Sequence, residues 1–219
     1  MKILRITALI VCLLTIQLTA QNTKHSIVTG KIVYKITVSS QTPSKAGQHA
    51  PEQMTLYFSP TKTRSEMKMP TGNAIVMISD FLNGTAYTLM DMGPKKMAIQ
   101  TTFDEIKAKR KGPAPKVTLT RESKVIAGYT CYKAIVIVTN DKGDHTMDVW
   151  FSNEIKSQNT FSTKIEGING CLMEFETSEG GRTMTMTAES VQAIDNIDPA
   201  LFTVPEGYTI TKASDMMKR

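Results

Sequence analysis

The sequence predicts a mainly β protein: a large curved antiparallel sheet or unclosed half-barrel, with one or two short helices. Three observations predict it. Apolar and polar residues alternate over most of the chain, turn signals recur at short spacing, and only residues 103–111 carry a convincing helical period. About eleven strands spaced this way suit a sheet that bends strongly or begins to close on itself.

The chain opens with Lys2 and Arg5, an apolar run from Ile6 to Ile16, and a small residue at Ala20. This is the order of a cleavable secretory leader, 1–20, cut between Ala20 and Gln21. The run is too short for a membrane span, which needs about 20 apolar residues. Cys12 lies in mid-run behind Val11, which argues against lipid attachment there. The expected protein is exported, to the periplasm or outside the cell, in either case open to association with the outer membrane. The expected organisation is a leader, one β domain over 21–212, and a frayed tail over 213–219. No later segment reaches membrane-spanning length.

Within 27–38, Ile32, Tyr34, Ile36 and Val38 alternate with more polar neighbours, as in a half-buried strand. Residues 39–52 are rich in Ser, Gln, Pro, Lys and Gly and read as a loop. Met54, Leu56 and Phe58 alternate next, and Pro60 ends that strand. A third strand covers 63–69, and 70–73 turns. Strands 74–80 and 85–91 flank Asn83-Gly84, a hairpin signal. Gly93-Pro94 turns into 95–100. After the helical stretch, 112–115 breaks with Gly, Pro, Ala and Pro. Two short strands are expected at 117–123 and 124–127, and the strongest strand at 129–140. A tight turn leads back through 146–152. Another hairpin, 170–178 with 182–193, surrounds Glu179-Gly180-Gly181. A helical turn near 198–202 and a last strand after Tyr208 complete the pattern.

The formal charge is +6, and the leader removes Lys2 and Arg5 from that excess. The one basic cluster, Lys107, Lys109, Arg110 and Lys111, lacks the aromatic interleaving or reader motif of a nucleic-acid site. It reads as a solvated face. Catalytic and metal motifs are absent, and His25, His49 and His145 fall in terminal or loop contexts. Asp80 and Asp91 lie on adjacent strands, but strand-end carboxylates are common as turn residues. The expectation is a non-catalytic protein with no cofactor and no metal. Cys131 and Cys171 are left after leader removal, as a disulfide or as two buried thiols.

Methionine is the unusual component, 14 in all, and all but Met1 lie beyond the leader. Met67/Met69, Met90/Met92 and Met184/Met186 are spaced i, i+2, which puts each pair on one face of a strand. Three readings stand: core filling, an adaptable lining for an apolar ligand, and a thioether site for Cu(I). The ligand-lining candidates are Met67, Met69, Met77, Leu89, Met90, Met92, Met184 and Met186.

Several phrases occur in a particular order: Met77-Ile78-Ser79-Asp80, then Tyr87-Thr88-Leu89-Met90-Asp91-Met92-Gly93-Pro94-Lys95-Lys96-Met97. Next come Ile126-Ala127-Gly128-Tyr129-Thr130-Cys131-Tyr132-Lys133, Asp148-Val149-Trp150-Phe151-Ser152, and a closing Leu201-Phe202-Thr203-Val204-Pro205-Glu206-Gly207-Tyr208. This order resembles a family of secreted bacterial proteins known as a domain of unknown function (number 4412). That family is similar in turn to periplasmic lipoprotein carriers and lipoprotein-sorting factors. The resemblance implies an unclosed antiparallel half-barrel with an apolar cavity, and a lipid, acyl chain or lipoprotein anchor as ligand. The alternatives are an envelope interaction protein without a small ligand and a Cu(I)-binding protein.

Overall fold

The computed structural model describes residues 26–40, 51–70, 72–93, 95–109, 112–141, 143–157, 165–179 and 182–216. The proposed leader, with Ala20 and Gln21, lies outside them. Among the described residues, twelve strands form one open sheet. Six make a meander: β1 (Gly30–Ser40), β2 (Gln53–Phe58), β3 (Lys62–Lys68), β4 (Ala74–Asp80), β5 (Thr85–Met92) and β6 (Lys95–Thr102). Five make a second: β7 (Lys116–Ile126), β8 (Tyr129–Asn140), β9 (Gly143–Ser152), β10 (Cys171–Glu179) and β11 (Arg182–Ala193). The two meanders are zipped together along antiparallel β1 and β11. A last strand, β12 (Thr209–Lys212), pairs with β6 in parallel.

The chain forces this sheet to curl. Flat, the ten strand spacings from β6 to β7 would measure about 48 Å. The connection from Thr102 to Lys116 includes the helix α1 (Phe103–Lys109) and reaches only about 34 Å at full stretch. The far edge must therefore come round, and β7 does approach β11. Gly112 fits this path. Its φ is +106°, and a Cβ there would stand 2.2 Å from the Thr139 carbonyl oxygen, so only glycine passes the end of β8.

Two apolar clusters result. In the main one, inward side chains of β1 and β2 meet those of β8 to β11. Tyr34, Phe58, Met54, Met173, Val136 and Val149 are buried in it. The second lies against β4 to β6, where Val76, Ile78, Leu89 and Ala98 pack under Phe202. Phe202 sits in a short 3-10 helix, Pro199–Phe202, capped by Asp198 accepting from the Ala200 N–H at 2.9 Å. Arg64 on β3 ties the cover down by donating to the Leu201 carbonyl oxygen at 3.2 Å.

Several sequence expectations change. The two short strands before the strongest one are a single β7, whose pairing with β8 slips between Leu119 and Ser123. The sheet is not wholly antiparallel, because β12 joins by a crossover from β11. The helix α1 contains no fully buried residue, and its Phe103 ring stands 5.3 Å from that of Phe81 at the β4–β5 turn. Residues Ala213–Met216 form one short helical turn, α2.

Candidate functional site

Residues directly opposite each other in an antiparallel ladder share a face. The pairs Tyr34–Met54, Met54–Met67, Met67–Ile75, Ile75–Met90 and Met90–Met97 therefore make one continuous row across six strands. The next row runs Ile32, Leu56, Ser65, Met77, Thr88, Ile99. Burial falls along the methionine row. Tyr34 and Met54 are buried in the main core, Met67 and Met97 are half-buried, and Ile75 and Met90 remain 41% and 40% exposed. Ile75, Met77, Met90, Met97 and Ile99 belong to neither apolar cluster. The reverse side of the same strands is the one sealed by Phe202.

The face is graded along the strands too. Thr63, Ser79 and Ala86 are buried at one end. The other end opens at the β3–β4 and β5–β6 hairpins, where Lys68, Lys95 and Lys96 are exposed. Asp91 holds the second hairpin: its carboxylate accepts from the Gly93 N–H at 3.0 Å and pairs with Lys96 at 3.7 Å. The outcome is a strip of soft thioether and aliphatic groups, continuous with the core, with cations at its open end. It can accept an apolar chain by dispersion and burial.

The ligand-lining candidates divide accordingly. Met67, Met77 and Met90 lie on this face. Met92 ends β5, and its side chain lies outside the described residues. Met69 has left β3 and is half-buried in the turn, donating its N–H to the Asn73 carbonyl oxygen at 2.8 Å. Leu89 points the opposite way, into the Phe202 cluster. Met186 is buried in the main core opposite Ile36 and Phe175, and Met184 packs at its edge. Sequence reasoning missed Ile75, Met97 and Ile99. Hairpin symmetry about Gly93-Pro94 pairs position 90 with 97, and that signal was available.

The other chemistry resolves into structure. Asp80 pairs with Thr85, six residues from Asp91, so the two carboxylates stand about 20 Å apart along the hairpin. Asp80 instead accepts from the Leu82 and Asn83 N–H groups at 3.1 and 3.0 Å and pairs with Lys62 at 3.2 Å. Burial works against its charge, but these partners win and lower its pKa. His145 is exposed on β9, opposite Val138 and away from the methionine row. Among the described residues no group of His, Cys, Asp and Glu has a metal-holding arrangement.

Cys131 and Cys171 are free and buried. They sit on β8 and β10 with β9 between them: Tyr132 pairs with Phe151, and Cys171 pairs with Ser152. Two strand spacings put their Cα atoms about 10 Å apart, beyond the ~7 Å that a bridge tolerates. Burial pushes Cys131 to about 11 and Cys171 to about 12. The Tyr34 hydroxyl donates to the Leu172 carbonyl oxygen at 2.8 Å and lies 3.7 Å from the Cys171 Sγ.

A family model matches residues 38–165, more than half of the chain. The chain belongs to the family described as Domain of unknown function (DUF4412). The match runs from the end of β1 through β9, so the methionine face lies inside the DUF4412 region. No curated protein sequence matches the chain. Among solved structures, PNGF-II in two crystal forms is similar at 19% and 18% identity, with TM-scores of 0.53 and 0.51. Each match covers 87% of this chain and 33% of PNGF-II, so the chain spans about a third of that protein's length. The likeness is one of fold. The Mycobacterium tuberculosis lipoprotein LppX is more distant, at 10% identity and a TM-score of 0.42, over 78% of this chain and 90% of LppX.

Proposed function

We propose that this DUF4412 protein is an exported, non-catalytic binder of an apolar chain, such as a lipid, an acyl chain or a lipoprotein anchor. The chain lies along the row from Met67 to Met97, with its polar end toward Lys95. One observation carries the reading: the row stays apolar as it passes from buried Met54 to exposed Met90, while the back of the same strands is sealed. The three strand spacings from Met67 to Met97 span about 14 Å, room for a medium-length stretch of an apolar chain. Burial of apolar surface at about 25 cal/mol per Å² drives binding, and thioethers adapt to varied chain shapes.

The half-barrel interior is not the ligand space in this reading, because Tyr34, Phe58 and Met173 fill it. Native mass spectrometry of protein purified from its own envelope, with fluorescent fatty-acid displacement, tests the proposal. A releasable lipid mass and saturable displacement are expected. A ligand-free spectrum with no displacement contradicts it.

A second reading, an envelope interaction protein, is favoured by the edge strand β7. There Leu119 and Val125 are 59% and 70% exposed, beside Tyr132 at 42%. A solution interface with an envelope protein, mapped to β7 in protein that carries no lipid, selects that reading.

A further inference from the structure

The antiparallel strands β9 and β10 are neighbours over only part of their length. They pair at Cys171–Ser152, Leu172–Phe151 and Glu174–Trp150, and the ladder then stops. β9 continues from Trp150 back to Gly143, still paired with β8. β10 continues to Glu179, still paired with β11. Each strand keeps one partner and leaves the other, so two strand edges diverge from a common apex.

The gap is a real cleft of about 400 Å³. Thr146, Met147 and Asp148 line one wall, Glu174, Phe175 and Glu176 the other, and Trp150 marks the apex. Every second backbone N–H and C=O of a strand points toward each flank, and such groups seek sheet partners. Further along β10, the Thr177 hydroxyl oxygen is buried and has no hydrogen-bond partner among the described residues.

The charge of the cleft is uneven. Lys133 reaches Asp148 at 2.8 Å, and Lys124 reaches Glu174 at 2.7 Å while standing 4.3 Å from the centre of the Trp150 ring. Glu176 accepts from the Thr185 hydroxyl at 3.3 Å, and among the described residues no ion pair reaches it. Lys133 also pairs with Glu122 at 3.2 Å, so four carboxylates share two lysines, and Glu176 on the β10 wall is the one left without an ion pair among the described residues.

We propose that this cleft binds an extended polypeptide segment, inserted as a strand between β9 and β10 with a basic side chain against Glu176. Because its walls are antiparallel to each other, the segment runs antiparallel to one wall and parallel to the other. Backbone hydrogen bonds supply affinity, and Glu176 supplies selectivity, as in other cases of strand addition. This site is separate from the methionine face and does not depend on it.

Trp150 is the only tryptophan in the chain, so its emission reports on the apex directly. The test titrates the full chain with a blocked peptide of alternating Lys and Val, about eight residues long, enough for one strand. A saturable shift of Trp150 emission is expected, with slowed amide exchange at residues 144–148 and 175–177. Proline at alternate positions removes N–H donors and should weaken binding about tenfold. Glu176→Lys, checked for folding by circular dichroism, should weaken binding similarly and transfer preference to the matching Glu-Val peptide. Equal binding of the proline peptide overturns the proposal, as does an unresponsive Trp150. Slowed exchange confined to β4 and β5 overturns it by placing the peptide on the methionine face. Saturation by a neutral oligosaccharide such as chitobiose, with the peptide inert, overturns it in favour of a small polar ligand.

Discussion

Replacing Ile75 and Met90 together by Thr should remove the exposed centre of the apolar strip while leaving the fold in place. The two residues are direct cross-strand partners, 41% and 40% exposed. Complete burial of such a side chain contributes about 1.5–3 kcal/mol, so covering the remaining two-fifths of each contributes roughly 1–2 kcal/mol for the pair. That corresponds to a roughly five- to thirtyfold loss of affinity for an apolar chain. Thr suits strands, and loss of the cross-strand contact costs the fold only about 0.2–1 kcal/mol. Leu119→Thr is the matched control, since it removes an even more exposed apolar side chain from the distant edge strand. Displacement of a fluorescent fatty acid reads all three proteins. Unchanged affinity in the double variant refutes the reasoning, and so does an equal loss in Leu119→Thr.

Further predictions follow from the packing and the ionisable groups. Phe202→Ala should destabilise the protein by about 3–5 kcal/mol in urea unfolding, because its ring closes the cluster over Val76, Ile78 and Leu89. Asp80→Ala should cost about 1–2 kcal/mol through loss of the β4–β5 turn bonds. Asp80 has a lowered folded pKa, so its contribution is present above the unfolded carboxylate value and is lost as pH falls through the folded one. A urea midpoint series in acid should lose that slope in Asp80→Ala. Cys131 and Cys171 have raised folded pKa values, about 11 and 12. Their contribution is complete below the unfolded thiol pKa and is lost as pH rises through those values. Ellman's reagent at pH 8 should find both thiols silent in the native protein and reactive after unfolding.

Much of the sheet was legible because turn chemistry sets hairpin register. Asn83-Gly84 and Gly93-Pro94 locate β4, β5 and β6, and alternation gives β1 and β2 their inward residues. Faces were harder. Leu89 and Met90 are both apolar, and one-dimensional alternation does not say which side of β5 the 195–208 segment will cover. Met67/Met69 looked like a same-face pair, but β3 ends at Lys68 and the turn carries Met69 away. The Cys131–Cys171 separation depends on β9 lying between two strands forty residues apart, a tertiary fact. The β7 slip hid a single strand as two, because an irregular ladder breaks the period on which the reading rests. The parallel β12 was invisible because four residues give no pairing signal of their own.

Methionine-methyl NMR during titration with oleate tests the central claim most directly. The account predicts that the methyl signals of Met67, Met77, Met90 and Met97 shift together and saturate. Those of Met54, Met173 and Met186, already buried in the core, should stay in place. Shifts centred on the buried three would place the ligand inside the half-barrel, and no shifts at all would remove the apolar ligand from the account.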